Sequence, residues 1–207
     1  MDLYDFAERV YYGVERPERG EWGVEHVRRS FALAQLKPLP REMPFQLSYL
    51  HAVILAQTLP EDDMLENAVR RLKSTGILAR DPDPVSASRI ESRLRMALNW
   101  VKRYAPERFR VKPLERLTPE VYGMLSSWDR LALRRLLNTL ESAEWREESI
   151  KQAMVGFTSK LSKQEVRRLF RSLYLVLFGR ESGPRIAPYL AMLDRGWVLG
   201  RLREASA

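Results

Sequence analysis

Val166-Arg167-Arg168-Leu169-Phe170-Arg171-Ser172-Leu173-Tyr174-Leu175-Val176-Leu177 is the stretch whose spacing decides the fold class. Val166, Leu169, Phe170, Leu173 and Leu177 fall at i, i+3, i+4, i+7 and i+11, which places them along one face of an α-helix. Arg167, Arg168 and Arg171 lie largely off that face. Ser162 and Glu165 stand just before the stripe at the spacing of a capping box, so the helix also has a start signal. The same period recurs upstream in Ile150, Met154 and Phe157, and downstream in Ile186, Tyr189, Leu190 and Leu193. In the first half, Ile90, Leu94, Ala97, Leu98 and Val101 repeat it. No stretch sustains the apolar–polar alternation of a half-buried strand. The expected fold is all-α.

Punctuation residues divide the helices. Gly76 follows Leu72-Lys73-Ser74-Thr75 as a C-terminal cap would. Thr118-Pro119-Glu120 places a cap and then a proline at the first helical position. Gly183-Pro184 is read as ending one helix and opening the next. Asp194 is expected to cap a final helix from Arg195 to about Arg203. Tyr104 to Thr118 holds Pro106 and Pro113 and has no period, so the chain is divided near residue 110. The expectation is two helical subdomains, 1–110 and 111–207. Asp81-Pro82-Asp83-Pro84 reads as a loop within the first.

The net charge is +8, and its distribution says more than its total. Residues 151–207 hold 11 Lys/Arg against 4 Asp/Glu. A basic excess gathered in one quarter of the chain favours a polyanion, because neutralised phosphates release condensed counterions. The absence of cysteine removes disulfides and thiolate metal sites and fits a reducing cytosol. No apolar run approaches a membrane span. Met1-Asp2-Leu3-Tyr4-Asp5 is acidic, unlike a secretory signal. The expected location is the cytoplasm, with no membrane partner.

Catalytic and metal patterns are missing. His26 and His51 are the two histidines, and neither sits in a ligand pattern. There is no G-x-S-x-G, no thiol nucleophile and no Gly-rich phosphate loop. Glu61-Asp62-Asp63 precedes Met64 and Leu65, where acidic residues complement a helix dipole. Lys160-Leu161-Ser162-Lys163-Gln164 is a weak match to an ATP-site loop, and Ser162 is better explained as a cap. No catalytic residue, metal or cofactor is expected, and the chain alone is not expected to be an enzyme.

What remains is basic and aromatic. Arg167 and Arg171 share a helix face at i, i+4 and repel unless an anion or carboxylate lies between them. Phe178-Gly179-Arg180-Glu181-Ser182-Gly183-Pro184-Arg185 is a glycine-containing turn leading into a helix, where free backbone N–H groups favour an anion. Arg180 and Arg185 flank it. Phe170 and Tyr174 are expected in the core, while Trp197 is open between core and base platform. The alternative throughout is a set of solvated arginines.

The segment Leu173 to Arg185, followed by Pro188-Tyr189-Leu190-Ala191-Met192-Leu193-Asp194, resembles the C-terminal stretch of class I lysyl-tRNA synthetases. That family shows a tyrosine, an aliphatic run, G-K-E-x-G-P-R and a phenylalanine-leucine helix; here Arg180 replaces the lysine and Tyr189 the phenylalanine. Pro40-Arg41-Glu42-Met43-Pro44-Phe45-Gln46 is similar to the family's P-x-x-M-P-x-Q, and Asn99-Trp100-Val101-Lys102-Arg103-Tyr104-Ala105-Pro106 to its N-W-x-x-x-Y-A-P. Gln57, Lys73-Ser74-Thr75-Gly76 and Tyr11-Tyr12-Gly13 keep the family's order. The resemblance implies an α-helical cage that grips the anticodon, with tRNA-Lys as ligand and a catalytic Rossmann domain supplied in cis or in trans. On this reading Arg167, Arg168 and Arg171 contact phosphates, and Arg180, Arg185 and Trp197 meet splayed anticodon bases. The competing expectation is a free-standing synthetase-derived module with a regulatory or protein-interaction role.

Overall fold

A computed structural model describes residues 3–17, 23–36 and 38–207. Met1 and Asp2, part of the acidic N-terminal stretch, lie outside the described residues. Among the described residues there are eleven α-helices and no strand. The first five are α1 (Leu3–Tyr11), α2 (Val24–Leu33), α3 (Tyr49–Thr58), α4 (Met64–Ser74) and α5 (Pro84–Arg103). A 3-10 turn at Glu107–Phe109 follows. The remainder are α6 (Pro119–Gly123), α7 (Ser127–Glu141), α8 (Glu147–Thr158), α9 (Lys163–Phe178), α10 (Ile186–Met192) and α11 (Arg195–Ala205).

The caps act where the sequence placed them. Ser162 accepts from the Glu165 amide, and Glu165 returns a bond to the Ser162 amide, closing the capping box of α9. Asp194 accepts from the Trp197 amide at 2.9 Å and starts α11, which runs to Ala205. Thr118 caps α6 with Pro119 in its first turn. The end of α9 differs from expectation. The helix stops at Phe178, and Gly179 takes the left-handed conformation (φ 65°). Gly183-Pro184 is therefore part of the turn, and α10 begins at Ile186.

The stripes form the core. Ile90, Leu94 and Ala97 of α5 are buried, as are Ile150 and Met154 of α8 and Leu169, Leu173 and Leu177 of α9. One apolar cluster extends from Leu47 to Ala205 and so crosses residue 110. Helix α3 is apolar all round, packing against α5 on one side and α10 on the other. Helix α7 packs against α8, α9 and α11, and α8 packs against α10.

The aperiodic linker buries Ala105 and Val111 and is also held by polar bonds. The Gln57 amide oxygen accepts from the Val111 N–H at 2.7 Å, and the Leu114 N–H donates to the Leu177 carbonyl at 2.7 Å. Buried Arg201 donates to the carbonyls of Val176, Leu114 and Glu115 at 3.0–3.1 Å. Beyond its 3-10 turn the segment must find partners for its backbone elsewhere, and here they come from α3, α9 and α11.

Candidate nucleic-acid interface

A groove of about 770 Å³ opens between α8 and α9 and is closed at one end by the turn from Glu181 to Arg185. Part of its lining is apolar: Met154 and Val155 come from α8, Phe170 and Tyr174 from α9, and Leu50 from α3. Val155 is 59% exposed and Leu50 47%, so apolar surface faces solvent inside a concavity.

The helix period explains the rim. Arg167 and Arg171, four residues apart on α9, both reach the groove while Leu169 and Leu173 point into the core. Arg185 reaches it from the start of α10, and Lys151 from α8. Two carboxylates also line it, each already engaged. Glu147 lies 2.8 Å from the His51 ring nitrogen, joining α8 to α3. Glu181 accepts from the Arg171 guanidinium, with Arg171 Nε at 3.0 Å. Arg167 and Arg185 make no hydrogen bond or ion pair with the described residues. The uncommitted charge at the groove is therefore positive.

The other three candidates lie elsewhere. Arg168 turns away to α7, donating to the Asp129 carboxylate at 2.9 and 3.0 Å and to the Ser126 hydroxyl, with its guanidinium 4.8 Å from the Trp128 ring centre. Burial pushes the Asp129 carboxyl up, but hydrogen bonds from Arg168, Ser126 and Ser172 outweigh it and hold it well below the usual carboxylate range. Arg180 donates to the carbonyls of Glu107 and Arg110 at 3.0 and 2.8 Å, tying the turn to the linker. Trp197 lies on α11 beside Arg201 and faces a different hollow, with Pro113 and Leu193. Of the six residues singled out from sequence, the groove thus gathers Arg167, Arg171 and Arg185.

The expected anion cradle at the start of α10 is also weaker than its sequence suggested. The helix has seven residues, and Pro188 in its first turn lacks an N–H. The glycine in the turn has a different use. A Cβ on Gly183 would come within 3.0 Å of Tyr174 Cδ1 and Cζ and closer still to Cε1. Gly183 therefore lets the turn rest directly on the Tyr174 ring. Tyr174 is buried, and burial raises its phenol well above the ordinary value. Phe170 is half-buried at the groove wall, so it is both core and lining.

Sequence reasoning missed Val155, Leu50 and the Gly183–Tyr174 contact. Val155 stood off the Ile150–Met154–Phe157 stripe as an apolar residue on an outward face, which was its available signal. Leu50 has none, because its approach depends on how α3 packs. Among the described residues, no group of three His, Asp or Glu side chains is placed to hold a metal ion, and no helix is long and apolar enough to cross a membrane.

The described residues form an all-helical core with an arginine-lined groove, and comparison with known families gives it a closer description. Residues 124–206 match the family described as "Anticodon binding domain", a span that contains the groove except for Leu50. Over 98% of its length the chain is similar to proteins named lysine–tRNA ligase. It is 35% identical to that of Aeropyrum pernix over 204 residues, 36% of that protein. It is 34% identical to that of Pyrococcus horikoshii over 210 residues, 37% of that protein. It is 31% identical to that of Thermococcus kodakarensis over 208 residues, again 37%. The similarity to lysine–tRNA ligases falls on their anticodon-binding portion, not on their catalytic domain. The chain spans little more than a third of the relatives it matches. These matches favour the anticodon-binding expectation over the protein-interaction one.

Proposed function

We propose that the chain binds the anticodon stem-loop of tRNA-Lys, with residues 111–207 gripping the loop and residues 1–110 linking this cage to a catalytic domain, in cis or in trans, and following the tRNA stem. Lysine activation and transfer would take place in that domain. The observation that carries the reading is the groove, whose lining combines apolar side chains with Arg167 and Arg185, two guanidinium groups that make no hydrogen bond or ion pair with the described residues. Unpaired loop bases are accessible to such a surface, and arginine suits both phosphate and base edge. Arg167 is assigned to phosphate and Arg185 to a base or its phosphate. Arg171 supplies charge while held by Glu181, and Arg168 serves by fixing α9 on α7.

The test is a titration with tRNA-Lys and a non-cognate tRNA at several salt concentrations. A preference for tRNA-Lys that survives moderate salt supports recognition beyond charge. Arg185→Ala is expected to weaken tRNA-Lys binding by about 1–3 kcal/mol if the side chain is bidentate to a base, and Arg167→Ala to lower the salt slope by about one. Equal, steeply salt-dependent binding of both tRNAs would sink the proposal.

A further inference from the structure

We propose that α1 and α2 form one arm that opens from the rest of the chain as a unit, about a joint at the ion-paired seam between α1 and α5, while α3 to α11 stay folded. This opening is independent of the anticodon reading, since it depends only on how the first two helices are held.

The arm has a small apolar core of its own. Helices α1 and α2 pack on each other. Val10 of α1 and Phe31 of α2 are buried, with the Tyr4 and Tyr11 rings centred 5.3 and 5.4 Å from that of Phe31. Neither Val10 nor Phe31 belongs to the apolar cluster that runs from Leu47 to Ala205. Arg28 of α2 donates to the Val10 carbonyl at 3.2 Å and ties the pair further.

The seam between arm and body is built from charge instead. Arg93 of α5 donates to both carboxylate oxygens of Asp5, at 2.6 and 2.7 Å. Arg89 Nη1 lies 2.6 Å from Glu8 Oε1, without the alignment of a hydrogen bond. The Gln46 side-chain amide donates to the Glu8 carboxylate and to the Asp5 carbonyl. Asp5 and Glu8 are buried, and a cleft of about 180 Å³ lies beside them, lined by Tyr4, Arg89, Arg93 and Met96 among others. Desolvation offsets most of the attraction in a buried ion pair, so such pairs fix a geometry more than they add stability. Parting an apolar seam exposes hydrocarbon to water, whereas parting this one returns charged groups to it. The connection to α3 permits the motion. Residues 38–48 contain no helix; Pro38, Pro40, Arg41 and Glu42 are exposed, and Pro44 and Leu47 are buried against the body. A unit joined to its neighbours by few apolar contacts opens at a lower free energy than the whole molecule.

The test is native-state hydrogen exchange, read by mass spectrometry, on the parent chain, Arg93→Met, Arg89→Met and the paired swap Asp5→Leu with Arg93→Met. In the parent, the amides of α1 and α2 are expected to exchange together, roughly tenfold or more faster than those of α3 and α5. Either single change strands a buried carboxylate and should raise exchange of both arm helices by roughly tenfold or more, with α7, α9 and α11 as in the parent. Arg89→Met is the check on Arg93→Met, because Arg93 also holds the Leu47 carbonyl at 2.6 Å. The paired swap puts apolar groups in place of the charges and should return arm exchange to the parent's rate or below it. Arm amides that exchange no faster than α3 and α5 in the parent overturn the proposal. So does an unchanged rate in both single variants, or a response confined to α1 with α2 unmoved, which marks a chain end that frays by itself.

Discussion

The same substitution, glycine to alanine, should have opposite signs at Gly183 and Gly156. At Gly183 an added Cβ meets Tyr174 Cδ1 and Cζ at 3.0 Å, with Cε1 nearer, whereas ordinary contact begins at 3.4 Å. The shortfall is at least 0.4 Å, and Tyr174 cannot retreat because it is buried, with Phe178 at a ring-centre distance of 5.8 Å. Forcing a methyl into such a contact costs about 1–3 kcal/mol. Gly156 lies within α8 with nothing within 4 Å of an added Cβ, so alanine there should stabilise by about 0.8–1 kcal/mol through helix propensity. For a chain of this size each kcal/mol moves Tm by about 2–4 °C. Thermal and urea unfolding of the two variants should thus bracket the parent. Gly183→Ala should also weaken tRNA-Lys binding although every arginine is retained, because the displaced turn carries Arg185. If Gly183→Ala unfolds with the parent and binds RNA equally well, the rigid seat of the turn on Tyr174 is refuted.

Arg201→Met should destabilise the chain by about 3–5 kcal/mol in urea unfolding, since it strands the carbonyls of Val176, Leu114 and Glu115 without their charged donor; a loss under 1 kcal/mol would mean water takes over those bonds. Asp129 has its carboxyl lowered in the folded state, so its stabilisation is complete above the unfolded value of about 3.9 and is lost as pH falls below it toward the folded value. Asp129→Asn should accordingly be less stable than the parent at pH 7, with the gap narrowing in denaturant titrations taken progressively below pH 4. A gap that stays constant with pH would show that the Arg168 bond adds nothing through the charge.

Fold class was legible because helix stripes are local. Val166, Leu169, Phe170, Leu173 and Leu177 specify a helix and its inward face whatever they pack against, and the Ser162–Glu165 box marks where it starts. The end of that helix was misread by four residues. Both Gly179 and Gly183 are glycines before a new element, and only the backbone reveals that Gly179 takes the positive φ while Gly183 clears the Tyr174 ring. The arginines divide for a similar reason. Arg167, Arg168 and Arg171 look alike in sequence, being off the apolar stripe. One turns to Asp129, one to Glu181 and one stays uncommitted, because α7 and the 181–185 turn happen to lie beside two of them.

The sequence by itself determined the helices, their caps, the basic bias of the last quarter and the family likeness, since each is written in residues close together along the chain. Tertiary structure alone decided where a ligand could sit. The groove joins Leu50 of α3 to residues of α8 and α9, and its two carboxylates are hydrogen-bonded to His51 and Arg171. Which cations remain free is a property of distances between helices, and no local pattern encodes those distances.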